Sequence, residues 1–121
     1  MQASDSNPPE FTRDLIDAGT VAIRVEGEVD LSSVDALSAE VERAIDGESP
    51  QLVLDLGRCD FVDSSVLALL VDLRKRLNSA ARARFAVVAD GQPLQVIKTT
   101  QLDREIPVFS TSSDAVAAVS G

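Results

Sequence analysis

Between Leu52 and Asn78 the segment LVLDLGRCDFVDSSVLALLVDLRKRLN passes from a strand pattern through a polar corner into an amphipathic helix, and no other stretch restricts the fold as much. Leu52, Val53, Leu54 and Leu56 make an apolar run of strand length broken by one carboxylate, Asp55, the pattern of a central strand covered on both faces. Gly57, Arg58, Cys59 and Asp60 are expected to turn the chain. The apolar pair Phe61 and Val62 then leads to Asp63, Ser64 and Ser65, whose short side chains accept hydrogen bonds from the free N–H groups at a helix start. A helix is predicted from that point. Val66, Leu70, Leu73 and Leu77 recur at helical spacing, Leu67 and Leu69 widen the stripe, and Asp72, Arg74, Lys75 and Arg76 lie outside it. One face belongs in a core and the other in water.

The flanking sequence repeats this alternation of strand and helix. Phe11 to Asp17 is weakly extended, Ala18, Gly19 and Thr20 form a turn, and Val21, Ile23 and Val25 alternate with Ala22, Arg24 and Glu26, so a β-hairpin is predicted. Gly27 interrupts its second strand where a bulge or a close approach is permitted. Ser32 and Ser33 cap a helix with Val34, Leu37, Val41, Ala44 and Ile45 on one side, ending near Gly47 with Pro50 beyond. Ala83 to Ala89 reads as a strand with Phe85 and Val87 on one face and Arg84, Ala86 and Val88 on the other. Pro93 suits the first position of a short helix that turns Leu94 and Ile97 inward. Ile106 to Ser110 is a short strand, and Ser112, Ser113 and Asp114 cap a last helix with Val116 and Val119 inward. The fold class is therefore α/β, a mixed sheet of four to five strands packed with about four helices. A chain of 121 residues suits one domain, residues 11–121, after a tail over residues 1–10 whose Ser, Asp, Asn and Pro cannot offset their ordering entropy by burial.

Charge and composition exclude several function classes. A net charge of -9 repels phosphate backbones, and 3% aromatic residues with no Trp or Tyr leaves little to stack on bases, so no nucleic acid is expected and a protein partner is. No apolar run approaches the roughly 18 residues of a membrane span, and the start MQASDSNPPE lacks the basic and apolar regions of a signal peptide. A cytoplasmic protein without direct membrane insertion is expected, which the single cysteine, Cys59, fits. With His absent, the commonest general base and transition-metal ligand is missing, and neither a G-x-S-x-G elbow, a P-loop nor a G-x-G-x-x-G motif occurs. No enzymatic activity and no cofactor is expected. Asp55, Asp60 and Asp63 are carboxylates of the kind Mg²⁺ takes, but strand ends and helix caps call for the same residues, and no metal is assigned to them.

The order of motifs carries a resemblance over nearly the whole chain. GEVD at Gly27 to Asp30 followed by a helix, then LVLDLGRCDFVDSSVLALL, then a strand, a short helix and a terminal helix resembles the STAS family of anti-sigma factor antagonists. The resemblance implies the STAS fold for residues 11–121. In that family a serine in a D-S-[ST]-G-L motif is phosphorylated by an anti-sigma factor that is itself a serine kinase, and the unphosphorylated form binds that kinase and frees a sigma factor. By position the resemblance implies Ser65 as the phosphorylated residue, with Ser64 as the second choice, and a partner-binding surface of Asp30, Asp63, Ser64, Ser65 and Val66. Two residues depart from the family pattern. Val66 stands where glycine usually follows the serine, placing a β-branched side chain where a partner's backbone is expected to come close, and Gln101 with Leu102 replaces Gly-Leu. Two other readings are weighed beside this one. A STAS subunit could pack constitutively on the ABC-type ATPase of a membrane transporter, with no phosphate involved. A phosphoacceptor receiver domain would use Asp55 at a strand end, but needs a lysine near Val108 to Ser110 that the sequence does not provide.

Overall fold

The computed structural model describes residues 8–46, 51–79 and 81–120. Most of the expected tail, and the expected helix end at Gly47 and Pro50, lie outside the described residues. Five strands lie side by side in chain order, β1 (Glu10–Asp17), β2 (Thr20–Val29), β3 (Gln51–Val62), β4 (Phe85–Ala89) and β5 (Val108–Phe109). The first pair is an antiparallel hairpin and the remaining pairs are parallel, so the sheet is mixed and β3 is its middle strand. Glu10, assigned from sequence to the tail, pairs with Glu26 as the first residue of β1.

Among the described residues three helices fill the connections between parallel strands, α1 (Val34–Asp46), α2 (Ser64–Leu77) and α3 (Gly91–Thr99), the last followed by a 3-10 turn at Leu102–Arg104, and α4 (Ser112–Ser120) follows β5. Strand alternation divides the core in two, because successive side chains point to opposite faces. Ile23, Leu54, Leu56, Phe85 and Val87 face α1, α2 and α3 in the larger cluster, whereas Ala22, Val53, Ala86 and Val88 face Ala115 and Val119 of α4. The α2 stripe is placed as its spacing predicts: Val66, Leu70 and Leu73 are fully buried. In α4 the buried pair is Ala115 and Val119, with Val116 only half-buried.

The expected turn over Gly57 to Asp60 does not form. β3 runs unbroken from Gln51 to Val62, and its irregularity is taken up as shifts of register against β2. Gly27 carries one of them with a left-handed φ of 93°, which a side chain would strain, and Asp60 is passed over between the pairs Gly27 with Cys59 and Glu28 with Phe61. Gly57 and Asp60 are residue types that favour turns, yet here the local bond from the Gly57 N–H to Asp55 Oδ1 at 2.8 Å coexists with the ladder. Asp55 consequently sits inside a strand rather than at its end, which removes the geometric basis of the receiver reading. Pro93 is the third residue of α3 rather than the first, still within the turn whose N–H groups lack helical partners.

Candidate functional site

Register brings the predicted residues together. Val29 and Val62 are paired as the last residues of β2 and β3, so Asp30 and Asp63, each one residue further on, leave the sheet side by side. Asp63 is the N-cap of α2. Its Oδ1 accepts the Ser65 N–H at 2.9 Å and also the Ser65 hydroxyl, while its Oδ2 accepts the Leu31 N–H at 3.0 Å. One carboxylate thus closes the helix start and holds the loop after β2. Asp30 organises that loop from within: its Oδ1 accepts the Ser32 N–H at 2.9 Å and the Ser32 hydroxyl at 2.6 Å, and the Asp30 N–H is donated to Ser33 Oγ at 3.1 Å.

The hydrogen bonds set the electrostatics. Asp63 is held below the usual carboxylate pKa chiefly by the Ser65 hydroxyl, and Asp30 likewise by Ser32, because donors favour the charged form. Asp63 opposes this at Asp30 as a like charge. None of the ion pairs among the described residues reaches Asp30 or Asp63, and the cations of α2, Arg74, Lys75 and Arg76, stand in its last turn. The corner is therefore a negative surface without a local counter-ion pair.

The two serines are not equivalent. Ser64 is exposed, whereas Ser65 is half-buried with its hydroxyl donated to Asp63. Val66 does not share the surface. It is 0% exposed and packs with Leu70 and Leu73, so the expectation that its side chain meets a partner is corrected: helix periodicity turns it into the core. Asp30 and Ser64 are left as the exposed residues of the corner, with Asp63 and Ser65 half-buried beside them.

Two residues that the motifs do not mark belong to the corner. Leu31 is 76% exposed although its backbone is tied to Asp63. Gln92, from the first turn of α3, clamps the end of β3 by accepting the Val62 N–H at 2.9 Å and donating to the Val62 carbonyl at 3.0 Å. An apolar residue directly after GEVD was a signal for Leu31. Nothing in the sequence marks Gln92. Cys59 is buried and its Sγ–H is donated to the Phe61 carbonyl at 3.3 Å, and burial raises its thiol pKa, the opposite of a reactive cysteine. Among the described residues no three His, Cys, Asp or Glu side chains come close enough to hold a metal ion, and no helix is long and apolar enough to cross a membrane.

A parallel sheet extended by an antiparallel edge strand, with an acidic N-cap and two serines opening the helix after its central strand, defines an α/β interaction domain of the STAS type. The chain belongs to the STAS domain family, which it matches over residues 13–115. It is 30% identical over 118 residues to the anti-sigma-F factor antagonist RsfB of Mycobacterium tuberculosis (strain H37Rv), an alignment covering 96% of this chain and 95% of that protein. The crystal structure of an anti-sigma factor antagonist from Mycobacterium paratuberculosis superposes with a TM-score of 0.85 at 29% identity, covering 94% of this chain and 96% of that one. The unphosphorylated anti-sigma factor antagonist SpoIIAA, 24% identical with a TM-score of 0.70 and covering 93% and 99%, shares the fold.

Proposed function

We propose that this protein is an anti-sigma factor antagonist, a cytoplasmic binding protein rather than an enzyme. In its unphosphorylated state it binds an anti-sigma factor with serine kinase activity and so frees a sigma factor; phosphate on the Ser64–Ser65 pair ends the complex. The relatives named as anti-sigma factor antagonists support the role. The observation that carries the switch is the placement of Asp30, Asp63 and an exposed serine on one surface at a helix start.

Transfer would form a bond from the serine Oγ to the γ-phosphorus of ATP as the bond to the ADP oxygen breaks, with the hydroxyl proton leaving to a base. The product carries about -1.5 to -2 charges at neutral pH. A helix N-terminus tolerates an anion, so the host fold survives the change. Since none of the ion pairs among the described residues reaches Asp30 or Asp63, the charge is displayed to the partner, and desolvating or repelling it by about 3 kcal/mol weakens binding roughly a hundredfold.

Sequence position puts Ser65 first, whereas accessibility puts Ser64 first, since the Ser65 hydroxyl is already engaged by Asp63. Mass spectrometry after incubation with the cognate anti-sigma kinase and ATP decides the matter. Phosphate that persists in Ser65→Ala and disappears in Ser64→Ala assigns Ser64, and the reverse assigns Ser65. No phosphate on either, with binding unaltered by Ser64→Glu and by Ser65→Glu, overturns the switch.

A further inference from the structure

We propose that Asp63 is a latch that couples the state of the Ser64–Ser65 pair to the Asp30–Ser33 loop, so that phosphate releases the Leu31 backbone as well as adding charge. The inference rests on the proposed serine switch and names how the fold transmits it. Asp63 spends its two oxygens on different segments. One takes both donors of Ser65, and the other reaches 32 residues back along the chain to the Leu31 N–H at 3.0 Å. Among the described residues, this last bond is the one hydrogen bond that ties the loop to the start of α2. The remaining loop bonds are internal: Asp30 to Ser32, Ser33 and Val34. Cutting the tie therefore frees the loop from α2 without dismantling its own turn.

Phosphate at either serine acts on the same carboxylate. At Ser65 the Oγ carries phosphorus in place of hydrogen, so the hydroxyl donor to Asp63 is gone and a dianion stands against the carboxylate. At Ser64, the next residue in the chain, the dianion competes for the free N–H groups that α2 offers at its N-terminus, one of which Asp63 now holds. Both changes favour rotation of the Asp63 side chain away from the helix start, and a carboxylate that rotates cannot keep its second oxygen on Leu31. Leu31 is 76% exposed, so a displaced loop moves an apolar side chain that a partner would otherwise meet in a fixed place.

The test uses the full chain with phosphoserine incorporated during translation at residue 64 or at residue 65, which requires no kinase. Amide hydrogen exchange of Leu31 is read by NMR, with the Gly91 amide, held by the other helix-capping aspartate, Asp90, at 2.8 Å, as the internal reference. Loss of a hydrogen bond to a charged acceptor predicts Leu31 exchange faster by about tenfold in a phosphorylated form and in Asp63→Ala, with Gly91 unchanged. Unchanged Leu31 exchange and chemical shift in both phosphorylated forms overturns the latch. So does acceleration at Leu31 and Gly91 together, which marks general loosening. If a kinase never modifies either serine, the proposed switch fails while the translationally installed phosphate still tests the latch.

Discussion

Helices α2 and α3 begin alike and end up in different roles. Each follows a parallel strand, each is capped by an aspartate, each buries its third residue, Val66 or Pro93, and each half-buries a leucine at the fourth, Leu67 or Leu94. The difference is confined to the first two positions and to the reach of the cap. In α2 these positions are Ser64 and Ser65, and Asp63 extends from its own helix to the Leu31 N–H. In α3 they are Gly91 and Gln92; the Asp90 side chain accepts from Gly91 next to it, and Gln92 is occupied in clamping Val62. A capped helix start is thus a structural device by default. What makes the α2 start a candidate switch is a hydroxyl left in solvent and a cap shared with a second loop.

The largest expected effect separates the two helices by function. Ser64→Glu and Gln95→Glu each add one negative charge near the start of a helix, at exposed positions of α2 and α3. Under the proposed function the first weakens anti-sigma factor binding by about a hundredfold, or about 3 kcal/mol, and the second by less than about threefold. Isothermal titration with the purified partner measures both. Equal losses would mean that binding senses overall charge and not the corner.

Val66 tests what the two helix starts share, a buried third residue. Restoring the glycine usual in the family would not open the corner to a partner, because Val66 is fully buried. Val66→Gly removes core contacts and adds backbone freedom inside a helix, and is predicted to destabilise the fold by about 2–3 kcal/mol in urea unfolding. A loss below about 0.5 kcal/mol would show that the site collapses around the glycine.

Caps of unequal reach should have unequal worth. Asp63→Ala removes bonds to two segments and is predicted to cost about 1–2 kcal/mol; Asp90→Ala loses one local bond and is predicted to cost about 0.5 kcal/mol. Thermal unfolding of the pair measures the gap, and equal values would mean that the bond to Leu31 adds no stability.

Much of this corner was legible in the residues. Asp63 as a cap, the α2 stripe and the central place of β3 follow from residue type and spacing, which are local properties. The continuation of β3 through Gly57 and Asp60 was not legible. Both residues favour turns, and only pairing with β2, where Gly27 supplies the compensating left-handed φ, keeps them extended. The same limit hides Asp63 to Leu31 and Gln92 to Val62, bonds that span 32 and 30 residues. The inward turn of Val66 could have been read from its place in the stripe. Motif position drew attention to it as a surface residue, and helix periodicity decided otherwise.

The smallest effect is a pH dependence, and its sign distinguishes a shared charged cap from a neutral one. Asp63 has its pKa lowered on folding, first by the Ser65 hydroxyl, so its contribution to stability is present above the unfolded carboxylate value and is lost as pH falls through the folded one. Asp63→Asn keeps an oxygen that can accept at the helix start but cannot titrate. Between about pH 5 and pH 3 the wild-type chain should therefore lose more stability than Asp63→Asn, narrowing a difference that is largest near neutrality. Urea midpoints at both pH values check this. Parallel losses in the two proteins would mean that the carboxylate charge adds nothing at the corner beyond what an amide supplies.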